Sequence, residues 1–271
     1  MSQVDSIFSA DGALSRAVNG FRARPFQLDM ARAVEEAIHD RSVLVAEAGT
    51  GTGKTFAYLV PALLSGGKVI ISTGTKTLQD QLFDRDIPMV RAALEVPVTV
   101  ALLKGRSNYL CHHHLDRALN DGRLPSREDV SHLHELRRFS MGTQTGDRTD
   151  CPSVPENASA WAYATSTREN CLGSNCRHYD ECFVMRARKQ ALEADVVVVN
   201  HHLFFADVML KDDGMGELLP ACNTVIFDEA HQLPETASLF FGESTSTSQF
   251  IELARDTKLE GAAGAKDDVA L

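Results

Sequence analysis

The sequence predicts an α/β fold built around a parallel sheet, and three observations support that prediction. Short apolar runs alternate with stretches of helical spacing along most of the 271 residues. The runs are continuously apolar, as is typical of strands covered on both faces. A glycine-rich loop separates the first run from a helical pattern, which is the strand–loop–helix order of a parallel α/β unit.

The predicted elements follow this alternation along the chain. Apolar, β-branched runs predict five strands, over residues 42–47, 68–73, 98–103, 195–199 and 224–228. Helical spacing of apolar residues predicts helices near residues 26–39, 54–65, 75–84, 183–193 and 201–209.

The alternation stops between residues 104 and 182. This stretch has no convincing strand, is rich in polar and turn residues, and carries five of the six cysteines. It predicts a mainly helical and loop insertion that interrupts the α/β domain. We therefore expect the first part of the domain over 1–103, the insertion over 104–182, the rest of the domain over 183–239, and a further segment over 240–271.

Composition and charge bound the class of protein. The apolar content of 44% and charged content of 24% are ordinary for a soluble protein. The absence of a long apolar run or secretory signal predicts a cytoplasmic protein without a membrane partner. The net charge is −10, but residues 101–190 carry 13 basic and 11 acidic side chains, so it is uneven. Because binding depends on local patches, the total excludes no nucleic-acid motor.

Residues 46–55 form the glycine-rich loop and match a P-loop, with Ala48 where the pattern has its first glycine. The glycines let backbone N–H groups converge on phosphate oxygens, and the start of the following helix adds its positive dipole end. Lys54 is expected to reach the β- and γ-phosphates of ATP, and Thr55 to ligate Mg²⁺. A glycine-rich loop without a ligand is the alternative. The predicted nucleotide-binding residues are Gly49, Thr50, Gly51, Thr52, Gly53, Lys54 and Thr55.

An acidic pair ends the last predicted strand. Asp228 is expected to hold Mg²⁺ and Glu229 to polarise the attacking water, so that Lys54, Asp228 and Glu229 are the predicted catalytic residues. The alternative is a solvated helix start with acidic residues in its first turn.

The Asp-Glu-Ala-His sequence at 228–231, downstream of the P-loop, resembles the DEAH-box helicases of superfamily 2. The resemblance implies a RecA-like domain and assigns Gln27 to adenine recognition. It also implies that residues 71–81 contact the backbone of single-stranded nucleic acid, with Thr73 and Thr75 as candidates; hydroxyls can bond phosphates without reading sequence. An ordinary capped helix is the alternative for residues 71–81.

The insertion places Cys171, Cys176 and Cys182 in a C-x4-C-x5-C pattern, with Cys111 upstream. Four such thiolates suit a [4Fe–4S] cluster, which takes one cysteine per iron. Cys151 is an alternative to Cys111, and four nearby histidines keep a mixed Cys/His zinc site open. The histidines are His112, His113, His114 and His178.

With the P-loop and the DEAH box, this pattern resembles the iron–sulfur helicases of the XPD and DinG group. The resemblance implies an ATP-dependent DNA helicase of 5′-to-3′ polarity with a role in DNA repair or replication. Single-stranded or forked DNA and replication or repair proteins would be its partners. Lys104 and Arg106, at the edge of the insertion, are further candidates for DNA phosphate contacts.

The chain departs from that group in lacking the motifs of a second RecA-like domain. Residues 240–271 would begin the arch-type insertion of the group. We therefore expect an N-terminal fragment that does not unwind a duplex alone. Two other hypotheses remain open: a nucleotide-sensing module that binds nucleic acid without unwinding it, and a zinc-stabilised P-loop enzyme acting on small molecules.

Overall fold

The computed structural model describes residues 2–257 except 50, 122–125, 213, 215, 244–245, 248–249, 252 and 255–256. The chain divides into two units, Met1–Leu233 and Pro234–Leu271. The helices are α1 Gln3–Ile7, α2 Ala13–Ala17, α3 Pro25–Asp40, α4 Lys54–Leu64, α5 Lys76–Gln81, α6 Ile87–Leu94, α7 His112–Asp121, α8 Arg127–Gly142, α9 Ala160–Ala164, α10 Phe183–Glu193, α11 His201–Asp212 and α12 Leu233–Phe241. The strands are β1 Val69–Thr73, β2 Val100–Leu102, β3 Val196–Asn200 and β4 Thr224–Phe227.

The four strands form one sheet in the order β2-β3-β1-β4, and all three pairings are parallel. In the register of β1, Ser72 lies opposite both Val199 and Phe227. The carboxyl ends of these strands therefore meet at one edge of the sheet. The predicted parallel α/β fold is confirmed, and its topology is consistent with a RecA-like domain.

The strand predicted over residues 42–47 is wrong. This segment forms no ladder with the described strands, and Val43 and Val45 are 93% and 92% exposed. A strand requires a neighbour that completes its hydrogen bonds, and a local run of β-branched residues carries no information about that neighbour. The run is extended but unpaired, and it leads directly into the P-loop.

Two apolar cores cover the two faces of the sheet. Because successive strand residues point to opposite faces, Ile71 belongs to the core under the helices α1–α4 and α6, while Ile70 belongs to the other. That second core also contains Trp161 and Leu133 from the cysteine-rich insertion. The insertion thus shares a continuous apolar core with the sheet.

The insertion is helical and loop-rich, as predicted. Helices α7, α8 and α9 lie within it, and two isolated antiparallel bridges, Tyr109–Asp147 and Leu110–Thr165, are its only β pairings among the described residues. Within the described part of the chain, no helix is both long and apolar enough to cross a membrane. The segment predicted over 240–271 lies largely outside the described residues.

Candidate nucleotide-hydrolysis site

The P-loop has the backbone shape that its glycines permit. Gly51 and Gly53 have φ angles of +72° and +85°, in the left-handed region that favours glycine. A Cβ added at Gly53 would lie 2.2 Å from the Gln27 amide nitrogen, so this position cannot accept a larger residue without rearrangement. Gly53 immediately precedes α4, whose first residue is Lys54.

Residues of α3 and its approach hold this loop from one side. The buried Gln27 amide donates to the Gly53 carbonyl at 3.0 Å, and the Arg24 guanidinium donates to the Gly51 carbonyl. Within the loop, the Thr52 hydroxyl donates to the Gly49 carbonyl at 2.8 Å. Gln27 therefore supports the loop directly, and its predicted role in adenine recognition stays a prediction. Thr50 lies outside the described residues.

The P-loop lysine and the acidic pair meet at one place. Lys54 Nζ lies 3.9 Å from Glu229 Oε1, and both side chains are about one-third exposed, at 29% and 31%. The meeting follows from the parallel topology, which brings the P-loop helix and the carboxyl end of β4 to the same edge. The spatial relation that the predicted hydrolysis set requires is present.

Asp228 lies in a partly buried position beside the P-loop helix. Burial raises the pKa of its carboxyl above the usual range; the Tyr58 hydroxyl opposes this shift, while the Glu229 charge adds to it. Tyr58 Oη donates to Asp228 Oδ2 at 3.2 Å. Burial and the Asp228 charge raise the pKa of Tyr58 itself, so it stays a neutral donor.

Tyr58 is a residue that sequence reasoning missed. It stands three positions after Thr55, on the same side of α4, and a side-chain hydrogen bond with Thr55 acts on its pKa. The phenol thus bonds Asp228 and lies near Thr55, the two residues predicted to ligate Mg²⁺. The i, i+3 spacing from the P-loop threonine was the available signal.

The turn after β4 is conformationally unusual. Glu229 has φ +57° and ψ +42°, in the left-handed region that non-glycine residues seldom adopt. The Glu229 N–H donates to Asp228 Oδ1 at 3.1 Å, and the Asp228 N–H donates to the Ser72 carbonyl at 2.8 Å. These bonds tie the turn to the end of β1.

Thr73 and Thr75, the predicted DNA contacts, lie at the end of β1 and the start of α5. Thr75 caps α5, because its hydroxyl accepts from the Leu78 N–H at 3.2 Å. Thr73 is fully buried, and its hydroxyl has no hydrogen-bond partner among the described residues. The predicted DNA contact of both residues stays untested. Asn200 caps α11, because its side-chain oxygen accepts from the Leu203 N–H at 2.9 Å.

Lys104 does not occupy the surface position that its predicted DNA contact requires. Its side chain is 1% exposed, and its Nζ lies 2.7 Å from both Asp80 Oδ1 and Asp147 Oδ2. A lysine so buried and paired cannot reach a phosphate, so its role is to join α5 to the insertion. A lysine considered without its partners is expected at the surface. The local sequence does not reveal that Asp147, 43 positions downstream, pairs with Lys104.

The four predicted cluster cysteines surround one cavity of about 230 Å³ within the insertion. Burial is the main cause that raises the pKa of Cys111, and nearby Cys182 and Cys176 add to it. Cys151 and Cys222 do not line this cavity, which makes Cys151 the weaker candidate. The lining relevant to the site comprises Cys111, Cys171, Cys176, Cys182, Arg106, Arg188 and the four histidines named above.

Arg106, the other predicted DNA contact, faces this cavity. Its Nη1 donates to Cys171 Sγ at 2.8 Å. Burial, followed by the charge of Arg106, lowers the pKa of Arg188 on the same wall. Both guanidinium groups line the cavity that the four thiols share.

Across the described ranges, no three His, Cys, Asp or Glu side chains come close enough to hold a single metal ion. Ligands of a single zinc ion crowd within about 4 Å of one another, whereas each cysteine of a [4Fe–4S] cube binds a different iron. The four predicted thiols share the lining of one cavity. The nature of the metal remains a prediction.

The fold and this site have the arrangement of a P-loop domain. Residues 26–117 match the DEAD/DEAH box helicase family, so the chain carries a DEAD/DEAH box helicase domain, as the sequence predicted.

Its relatives belong to the predicted group. The chain is 52% identical, over 95% of its length, to the ATP-dependent DNA helicase YoaA of Haemophilus influenzae, and 55% identical, over 92%, to the protein of the same name from Escherichia coli. It is 35% identical, over 91% of its length, to the ATP-dependent helicase DinG of Mycobacterium tuberculosis. The resemblance to this helicase group is confirmed. The chain spans about two-fifths of these relatives, at 40%, 39% and 40% of their lengths.

Proposed function

We propose that the chain is the nucleotide-binding and cluster-binding part of an ATP-dependent DNA helicase that moves on single-stranded DNA. The single observation that carries this proposal is the approach of Lys54 Nζ to Glu229 Oε1, at 3.9 Å. It joins a P-loop to an acidic pair across the sheet edge, which is the arrangement that phosphoryl transfer to water requires. The names of the relatives support DNA as the partner.

Each residue of the site has a role that follows from its position. The P-loop N–H groups and Lys54 bind the triphosphate, and Lys54 offsets the negative charge that develops on it. Thr55 and Asp228 would hold Mg²⁺, which would neutralise the negative charge of the phosphates. Glu229 lies beside Lys54 and accepts a proton from the attacking water.

The cavity in the insertion fits a [4Fe–4S] cluster held by Cys111, Cys171, Cys176 and Cys182. Bound there, the cluster supplies four iron–sulfur cross-links between segments that are far apart in the sequence. Because the insertion shares a core with the sheet, the cross-links would stiffen it against the motor domain.

The remaining parts of the proposal rest on family resemblance. DNA would pass the strand ends near Thr73 and Thr75, with the single strand or fork as substrate. The polarity would be 5′ to 3′, the compartment the cytoplasm, and the partners replication or repair proteins. We assign nucleotide and cluster binding, but no strand separation, to these residues.

The deciding experiment measures ATP hydrolysis by the full-length protein with and without single-stranded DNA. Stimulation by DNA that is lost in Lys54→Ala, while the melting temperature stays unchanged, supports the motor. If the rate of ATP hydrolysis did not change with DNA while nucleotide binding stayed intact, a nucleotide-sensing module would be favoured instead. Duplex unwinding by the purified 271-residue chain would contradict the proposal that these residues do not separate strands.

A further inference from the structure

His201 is a buried histidine that the proposed hydrolysis mechanism does not use. It is the first residue of α11, directly after β3, and is 1% exposed. Its Nδ1 lies 2.7 Å from the Ser72 hydroxyl. Its other ring nitrogen, Nε2, is buried without a hydrogen-bond partner among the described residues. Burying a ring nitrogen without a hydrogen-bond partner costs folding free energy, so a functional role for this nitrogen should be considered.

The partner of His201 on one side is a junction residue. Ser72 lies in β1, one position before Thr73, and pairs across the sheet with both β3 and β4. Its side chain bonds the His201 ring, while its carbonyl accepts from the Asp228 N–H at 2.8 Å. Any movement of the β1 end is therefore transmitted to the histidine and to the acidic turn together.

On its other side the ring faces the acidic turn. The backbone of Asp228 and of Glu229 approaches the ring closely enough to raise its pKa, although without hydrogen-bond geometry, and the Phe227 ring lies 6.1 Å away between centroids. Burial nevertheless dominates and lowers the pKa of His201, so the ring is neutral. A neutral imidazole has one N–H donor and one acceptor. In the tautomer in which the Ser72 hydroxyl donates to Nδ1, the ring carries its N–H on Nε2.

We propose that His201 is a positioning residue that couples the β1–α5 junction, where DNA is expected, to the turn that carries Glu229. This inference rests on the proposed function. A rigid, buried ring bonded to Ser72 sets the Glu229 backbone, which already holds a strained left-handed conformation. DNA at the exposed Thr75 shifts the β1 end, the ring follows Ser72, and its Nε2–H forms a bond to the turn.

The test compares variants at His201, His202 and Ser72 with the native protein. His201→Phe keeps the ring volume without hydrogen bonds, His201→Gln restores a donor near the Nε2 position, and His202→Phe alters the exposed neighbour as a control. Binding of a fluorescent ATP analogue, binding of single-stranded DNA, melting temperature, and hydrolysis with and without DNA are measured for each.

The expected result is selective. His201→Phe retains nucleotide and DNA affinity, but loses about tenfold or more of its DNA-stimulated kcat. His201→Gln recovers a substantial part of that loss, and His202→Phe behaves as native. In combination with Ser72→Ala, the effect of His201→Phe is not additive, because both break one connection.

Three outcomes overturn the inference. Unchanged stimulation in His201→Phe removes the coupling role. An equal loss of folding or nucleotide binding in both His201 variants reduces the residue to a structural one. A native protein that hydrolyses ATP without regard to DNA contradicts the proposed function itself, which the native arm reveals independently of any variant.

Discussion

The two functional regions of this chain are built in different ways. The backbone shapes the hydrolysis site. Two glycines and one glutamate have positive φ angles, and the parallel sheet brings the strand ends together. The cysteine cavity is lined by loops and helix ends. An apolar core and one buried lysine, paired with two aspartates, hold it to the sheet. The first region is shaped by the fold before any ligand binds, whereas the second depends on side chains and, by our proposal, on a cluster.

The largest expected effect comes from a substitution that impairs the hydrolysis site alone. Replacing Glu229 by glutamine removes the base but keeps the size of the side chain, and we expect ATP turnover to fall about 10²- to 10⁴-fold. The cluster cavity should be untouched, because it lies within the insertion and depends on other contacts. Turnover and iron content are measured together, with Glu36→Gln on the exposed face of α3 as the matched control. Turnover within a few-fold of native would remove Glu229 from the catalytic set.

The next effect breaks the connection between the regions. Lys104→Met leaves Asp80 and Asp147 facing each other without a cation in a buried position, and we expect a loss of about 3 kcal/mol in the free energy of unfolding. Urea denaturation measures it, with Lys189→Met on the surface of α10 as the control. If the two variants were equally stable, the buried ion pairs would not hold the insertion to the sheet.

Lys104 also marks the limit of sequence-based inference here. The parallel sheet and four of its strands were predictable because buried strands need continuous apolar runs, and the P-loop and acidic pair because their chemistry fixes residue types. The unpaired segment 42–47 and the buried Lys104 were mispredicted for one reason. Both depend on partners far along the chain, which neither local apolarity nor local charge encodes. Tyr58 and His201 were missed likewise.

The third prediction tests whether the cysteine cavity needs its metal. We expect protein purified without oxygen to contain iron and sulfide, and Cys176→Ser to lose most of both. Cys222→Ser, outside the cavity, should keep them. Loss of the cluster should also lower the melting temperature of the insertion, since the cross-links are gone. Colourless native protein with stoichiometric zinc would contradict the cluster and favour the Cys/His alternative.

The smallest effect sharpens the account of the hydrolysis site, and it acts through Tyr58. Tyr58→Phe removes one hydrogen bond to the Asp228 carboxylate, which is worth about 1.5 kcal/mol when a charged group is involved. Without this bond the pKa of Asp228 rises, so the Mg²⁺ concentration that half-saturates nucleotide binding should rise at low pH, where more of the carboxyl is protonated.

The pH dependence of Mg²⁺ binding separates this role of Tyr58 from a general loss of packing. Only the ionised Asp228 binds Mg²⁺, and burial raises its pKa, so affinity should fall with decreasing pH at a higher pH than for an ordinary aspartate. The Tyr58 hydroxyl lowers that pKa, so its removal shifts the fall to still higher pH. Titration of Mg²⁺ against a fluorescent nucleotide at several pH values measures both shifts. An equal drop in Mg²⁺ affinity at every pH would mean that the Tyr58 phenol contributes only packing. The shape of the hydrolysis site would then depend on the backbone alone.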